Sequence, residues 1–362
     1  MKYVIAFTGL LVLIIALVMS LNRTPQAPPA VSTPAVEQTA RTTLPAHSAS
    51  ASREEPDAPK LTNHFRDWFK DNKFPQLTPA QVEGYLSANH RSAGSLLGAL
   101  YATGSRAFLR EAMTNFPNDP KVAYAAIFFG NADGSLSAEQ ARQISDSFKR
   151  NAPDNSIADY ASALSYIKSG QSDLALQDMG AAANLKWTDY TADFIQSSEE
   201  AYRSAGYSDL DAKVASQAQL LLPDLAQLKE LSRDIASAAN TYQQAGNSAA
   251  AQNALQMDLQ LGQQLSASQT QPLITTLVGY AIENIALAPM DPNAPYGNSG
   301  QTVADLINQI QQQREAIKTA ASQDESLLPQ MSDDDVLNFL QRRQSFGELN
   351  AIQWAMNKYK QN

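Results

Sequence analysis

The chain contains no cysteine, which excludes disulfides, thiolate-bound zinc or iron–sulfur clusters, thiol catalysis and a lipid-modified cysteine anchor. Histidine is almost as scarce, with His47, His64 and His90 the only three in 362 residues. That excludes a histidine-rich metal site, and a Ser-His-Asp triad would have to use His64 or His90. Charge is sparse as well: 17% of residues are ionic, and the net charge is −9. The first sixty residues carry Lys2, Arg23, Arg41, Arg53 and Lys60 against Glu37, Glu54, Glu55 and Asp57, so the acid excess lies in the remaining body. An acidic body without a Lys/Arg cluster repels phosphate backbones, and nucleic acid is not an expected partner. No glycine-rich stretch is followed by the Lys-Ser/Thr of a phosphate loop, and no cofactor or metal is expected.

One long apolar run is present. Val4 to Leu21 reads VIAFTGLLVLIIALVMSL without a charge, long enough as a helix, at about 1.5 Å per residue, to cross a thin hydrocarbon core. Residues 1–21 are expected to be a single transmembrane anchor. A cleaved signal peptide is the competing reading, because Val18-Met19-Ser20 loosely imitates a small-x-small cleavage site. Residues 22–60 are rich in Pro, Ala, Ser and Thr and poor in large apolar side chains, the composition of an extended spacer that cannot bury a core. Anchor and spacer together place the body on the exported, periplasmic side of a cell membrane.

From Leu61 onward the signals are those of an all-α body. Thr78-Pro79 opens one helix, and Ser92 opens another that Gly104 closes. Each is about three turns long, which implies antiparallel neighbours joined by brief polar turns. Asp119-Pro-Lys-Val122-Ala123 and Asp154-Asn-Ser-Ile157-Ala158 repeat at an offset of thirty-five residues, a period that belongs to tetratricopeptide-like arrays. The second unit, SIADYASALSYIKSGQSDLALQDMGAAANL, places Ala163 three residues before Tyr166, Gly170 at the close of its first helix, Ala175 in its second, and Met179 and Ala182 in register. ANTYQQAGNSAAAQNALQMDLQLGQQL repeats the spacing with Tyr242, Gly246, Ala251 and Leu255. These segments resemble the tetratricopeptide-repeat superfamily, departing from its consensus at Asp159, where Trp is usual, and at Lys186-Trp187, where Pro is common. The resemblance implies an α-solenoid of antiparallel helix pairs that binds a peptide or a partner protein. On this reading residues 61–222 form the repeats, and residues 223–362 continue the stack as a C-terminal helical bundle or cap.

Beyond Pro223 the helices lengthen. Pro272 to Pro289 is apolar almost all round and is expected to be a central buried helix. Val303, Leu306, Ile307, Ile310 and Ile317 form one stripe opposite a Gln-rich face. A last helix is expected from Ser332, carrying Val336, Phe339, Leu340, Phe346, Leu349, Ile352 and Trp354 toward the C-terminus. Between the first two lies MDPNAPYGNSGQTV, Met290 to Val303. Its prolines forbid helix, Gly297 and Gly300 permit positive φ, and Thr302 with Asp305 forms a capping-box spacing. One reading is a ligand-contacting loop using Asp291, Asn293, Tyr296, Asn298 and Ser299. The other is a loop that packs its own Tyr and Met on the body.

Glu283 stands inside the apolar helix, where burial would raise its pKa as in a catalytic acid; the structural alternative is an ion pair with Arg314 or Arg342. Phe65, Trp68, Phe69 and Phe74 interleave with Arg66, Lys70 and Lys73, as a membrane-surface helix or as a first capping helix. The expected function is a membrane-tethered, non-catalytic scaffold for a protein or peptide partner, a second copy of itself included. The alternatives are a cell-envelope glycan hydrolase using Glu283 and a structural subunit of an envelope complex.

Overall fold

The computed structural model describes residues 64–71, 73–130, 136–218, 222–267, 271–297, 300–327 and 330–359. The expected anchor and spacer lie outside these residues. Among the described residues no helix is long and apolar enough to cross a membrane.

The body is all-α. In chain order the helices are α1 (Phe65–Asp71), α2 (Pro79–Ala88), α3 (Ala93–Thr103), α4 (Arg106–Asn115), α5 (Pro120–Ala125) running into a π-turn (Ala126–Gly130), α6 (Ala138–Asn151), α7 (Ser156–Lys168), α8 (Ser172–Ala182), α9 (Thr191–Ser204), α10 (Asp209–Ala218), α11 (Pro223–Gln244), α12 (Ser248–Ser266), α13 (Leu273–Leu287), α14 (Val303–Leu327), α15 (Asp333–Phe346) and α16 (Glu348–Tyr359). Their ends follow from local chemistry. Thr78, Ser92, Asp119, Ser137, Asn155, Asn247 and Ser332 each accept a backbone N–H from the first turn of the helix they precede, satisfying donors that the helix cannot. Gly104 ends α3 at φ 69°, a left-handed position that costs glycine nothing.

The two segments with tetratricopeptide-like spacing both form helical hairpins. In α7–α8 the side chains of Ala163, Ala175, Met179 and Ala182 are all buried, so small residues let the helices approach. Asp159, at the position where Trp is usual, is buried and pairs with Lys149 of α6, which also holds Asp178 of α8. One ammonium thus ties three consecutive helices. The hairpin α11–α12 turns at Gly246, and Tyr242 near that turn donates to Asp173 at the start of α8.

Packing is not confined to sequence neighbours. Helix α9 lies against α3, about a hundred residues earlier. At Gly98 a Cβ would sit 2.7 Å from the Ser197 Cβ and 2.8 Å from its backbone, so the two helices touch main chain to main chain. Tyr85 of α2 donates to the Ser197 carbonyl and Tyr202 of α9 to the Pro75 carbonyl, which ties α9 to α2 and to the segment before it. Helix α11 reaches back to the π-turn, where a wider helical register frees carbonyls from the α ladder; the Gln227 amide donates to the Phe128 carbonyl at 2.8 Å. One core accordingly runs from Leu77 to Ile282, and a second joins α1 and α10 to α13 through α16.

The sequence reading of α13 holds: no residue from Leu273 to Leu287 is fully exposed, and α11, α12 and α14 surround it. The stripe on α14 is also as expected, with Val303, Leu306, Ile310 and Ile317 buried. Helix α1 is a docked cap. Phe65 is buried, the N–H groups of His64 and Phe65 donate to Asp211, and Arg66 pairs with Asp333.

One expectation fails. The final helix is not continuous: it breaks at Gly347, with φ 85° and ψ 162°, a backbone region that side-chain-bearing residues essentially never occupy. Glu348 follows and fixes the new direction, accepting from the Leu273 N–H at 2.8 Å and pairing with Arg343 at 3.1 Å.

Candidate functional site

The loop from Met290 to Val303 folds as a small hairpin in which Pro295–Tyr296 pairs antiparallel with Gln301–Thr302. Gly297 and Gly300 take φ values of 65° and 73°, and Thr302 and Asp305 form the reciprocal cap. The Tyr296 hydroxyl accepts from Gln263 at 3.0 Å, and its ring packs with Met290 against Leu259, Ala286 and Leu287. Asp291 is exposed and accepts from the Asn293 N–H. Asn298 and Ser299 lie outside the described residues. Of the five side chains expected to meet a ligand, Tyr296 therefore holds the loop to the body and Asp291 shapes its turn.

Glu283 is enclosed rather than exposed to a cleft, with 4% of its surface accessible. Its expected arginine partner is replaced by a hydroxyl: Ser266 donates to the carboxylate at 2.6 Å. The reason is steric. Helices α12 and α13 meet at Gly262 and Gly279 so closely that a Cβ on Gly262 would lie 2.6 Å from the Glu283 Cγ, and Ser266, one turn along α12, is what the carboxylate can reach. Burial raises its pKa and the Ser266 hydrogen bond opposes that rise. Arg342 lies over the Trp354 ring, and Arg314 is buried on the inner stripe of α14. A second buried carboxylate, Asp224 at the start of α11, is pushed up to about 7 by burial and by the Asp189 charge, against a hydrogen bond from Tyr124. His64 and His90 stand at a helix start and in a helix–helix turn, as their spacing implies.

The accessible feature lies elsewhere. Helices α14 and α16 pack side by side and leave a groove of roughly 600 Å³ lined by Ala316, Thr319 and Ala320 from α14 and by Ile352, Gln353 and Met356 from α16. Leu349, 47% exposed, lines it as well, and Phe346, three residues earlier in the chain, is 58% exposed. Among the described residues, only Leu174 is another exposed large apolar side chain. Both flank Gly347, and the break there turns them out of the inward stripe. Its polar lining is uncharged, Thr319 from α14 and the exposed amides Asn350 and Gln353 from α16. Of the cations near in sequence, Arg342 and Lys358 lie over the Trp354 ring, Arg343 pairs with Glu348 and Lys318 with Glu315.

Sequence reasoning missed this groove because it took every apolar residue near the C-terminus as inward-facing. The available signal was Gly347 between Phe346 and Leu349. No protein-family model, curated protein or solved structure matches the chain.

Proposed function

We propose that this protein is a membrane-tethered, tetratricopeptide-like scaffold that captures an apolar-faced helix of a partner protein in the groove between α14 and α16. The observation that carries the proposal is the exposed Leu349 in the lining of that groove, with the exposed Phe346 three residues before it in the chain. An aromatic and an aliphatic anchor beside a hollow, rimmed by uncharged amides, is the composition of a binding hot spot. The floor of small residues lets a third helix approach the first two closely. The apolar run Val4–Leu21 and the Pro/Ala/Ser/Thr-rich spacer support tethering and an exported body, and the hairpins α7–α8 and α11–α12 support the repeat-like reading.

The enclosure of Glu283 lends no support to a glycan hydrolase: its carboxylate is engaged by Ser266 beneath a helix crossing, where a substrate has no access.

The test is crosslinking in intact cells followed by solubilisation and identification of retained proteins, comparing wild type with the double variant Phe346→Asp, Leu349→Asp. The expected outcome is a reproducible partner that the variant loses while its unfolding midpoint stays within about 0.5 kcal/mol of wild type, as for surface changes. Equal partner recovery from both proteins sinks the groove assignment. Recovery of only the protein's own chain, with a dimer in solution that the variant abolishes, reassigns the groove to self-association.

A further inference from the structure

A second hollow, separate from the groove and independent of the scaffold reading, lies where the π-turn meets the start of α6 and the end of α7. Its volume is roughly 200 Å³, below the range of about 300–1,000 Å³ typical for drug-sized ligands. Such a space takes a few carbons, not a nucleotide or a long acyl chain.

Its chemistry is two-layered. The base is aliphatic, formed by Ile127, Leu136, Ala141, Ala161 and Leu164. The rim carries Ser165 and Lys168, also from α7. Helical periodicity orders these layers: Ala161 and Ser165, and likewise Leu164 and Lys168, stand four residues apart, which places the polar layer about 6 Å beyond the apolar one along one face. The donors at the rim are not otherwise engaged. Among the described residues Lys168 holds no ion pair and the Ser165 hydroxyl no hydrogen-bond partner. Asp234 on α11 is the acid that feels the Lys168 charge, and no ion pair joins the two. The Ser145 hydroxyl, by contrast, is occupied, donating to the Ala141 carbonyl at 2.8 Å.

We propose that this hollow is a binding site for a short branched aliphatic carboxylate of about four to six carbons. The carboxylate accepts from the Lys168 ammonium and the Ser165 hydroxyl, and the branched tail fills the aliphatic base. The dimensions are compatible: from carboxylate carbon to terminal methyl such an acid spans roughly 4–5 Å at about 1.5 Å per bond, which fits within the rise of about 6 Å between the two layers. Charge complementarity selects an anion over an alcohol or an amine, because the two free groups at the rim are both able to donate and one is a cation. An extended peptide is disfavoured because, among the described residues, the lining comes from three adjoining segments, which makes a hollow and not a trough that a chain could follow.

The experiment is isothermal titration of the full-length protein with isovalerate and with its neutral isostere isovaleramide. A ligand of seven heavy atoms is expected to bind in about the micromolar to millimolar range, below the ceiling that its size sets and within reach of the method. The expected result is binding of isovalerate, with at least about tenfold weaker binding of the amide and of isovalerate to Lys168→Glu, and retention of most affinity in Lys168→Arg. Lys168 is exposed and in no ion pair, so its substitution leaves the fold intact; a matching circular dichroism melt verifies this. Equal affinity for acid and amide, unchanged binding to Lys168→Glu, or no heat at ten millimolar isovalerate overturns the proposal. So does tighter binding of a peptide ending in leucine than of isovalerate itself, which would assign the hollow to a chain terminus.

Discussion

Substituting alanine for Gly262 places two effects of opposite sign at one atom, and the structure says which is larger. Gly262 sits in the interior of α12, where alanine is favoured over glycine by about 1 kcal/mol. The added methyl, however, would lie 2.6 Å from the Glu283 Cγ, 2.8 Å from the Glu283 backbone nitrogen and 2.9 Å from the Gly279 carbonyl oxygen. Carbon atoms rest about 3.5–4.0 Å apart, so α12 and α13 must separate by about 1 Å. Two of the three obstructing atoms are main chain and cannot swing aside. Overpacking of this kind costs about 1–3 kcal/mol, and parting the helices also weakens the Ser266–Glu283 hydrogen bond, worth about 1 kcal/mol or more. The net expectation is destabilisation by about 1–3 kcal/mol, read as a lower urea midpoint at an unchanged slope. Two other glycines calibrate the measurement. Gly84 in α2 has nothing within 4 Å of the new methyl, and Gly84→Ala should stabilise by about 0.5–1 kcal/mol. Gly180 meets only the mobile end of Met257, at 3.1 Å, and should change little. A Gly262→Ala protein as stable as wild type, alongside a stabilised Gly84→Ala, would refute the close crossing of α12 and α13. Glu283→Ala added to Gly262→Ala should recover only part of the loss, because the backbone contacts remain.

Two more predictions concern buried charge and the break at Gly347. The Asp224 carboxyl titrates near 7 in the folded chain and near 3.9 when unfolded. The native state therefore holds a proton that the unfolded state releases, and stability falls as pH rises from about 4 to about 7. Asp224→Asn, a neutral mimic of the protonated acid, should remove this slope and exceed wild type in urea midpoint at pH 7.5; an Asn variant that keeps the wild-type slope would show that Asp224 is not the group responsible. Gly347→Ala forces a side chain into a backbone region essentially reserved for glycine, at a cost of about 1–3 kcal/mol, and should redirect α16; a melting temperature and partner recovery equal to wild type would show that the joint tolerates other conformations.

What could be read without coordinates was mostly local. A helix start depends on an oxygen-bearing side chain and the next three N–H groups, so Thr78, Ser92, Asp119 and Ser332 announced theirs. The shape of the 290–303 loop was legible for the same reason, since Gly297, Gly300 and the Thr302–Asp305 pair each act within a few residues. The partner of Glu283 was not legible, because it depends on how closely α12 and α13 approach, and arginine was the wrong guess where only a serine hydroxyl fits. The turn at Gly347 was overlooked for a different reason: the apolar spacing across it continues well enough to imitate one helix.

The close crossings, however, left a sequence signal that composition alone conceals. A glycine at a helix end carries positive φ and sits among polar residues, as Gly104 and Gly246 do. Gly98 and Gly279 stand instead inside AGSLLGALYAT and LITTLVGYAIENIAL, apolar helices in which glycine is a liability of about 1 kcal/mol against alanine. A residue that weakens its own helix is kept without penalty only where another main chain occupies the space a methyl would need. Read this way, Gly98 and Gly279 forecast a tightly packed neighbour for α3 and for α13, which the structure supplies as α9 and α12. The same reasoning could not have found the groove. Ala316 and Ala320 are strong helix formers, so their small size carries no local cost and leaves no mark until the groove between α14 and α16 is seen.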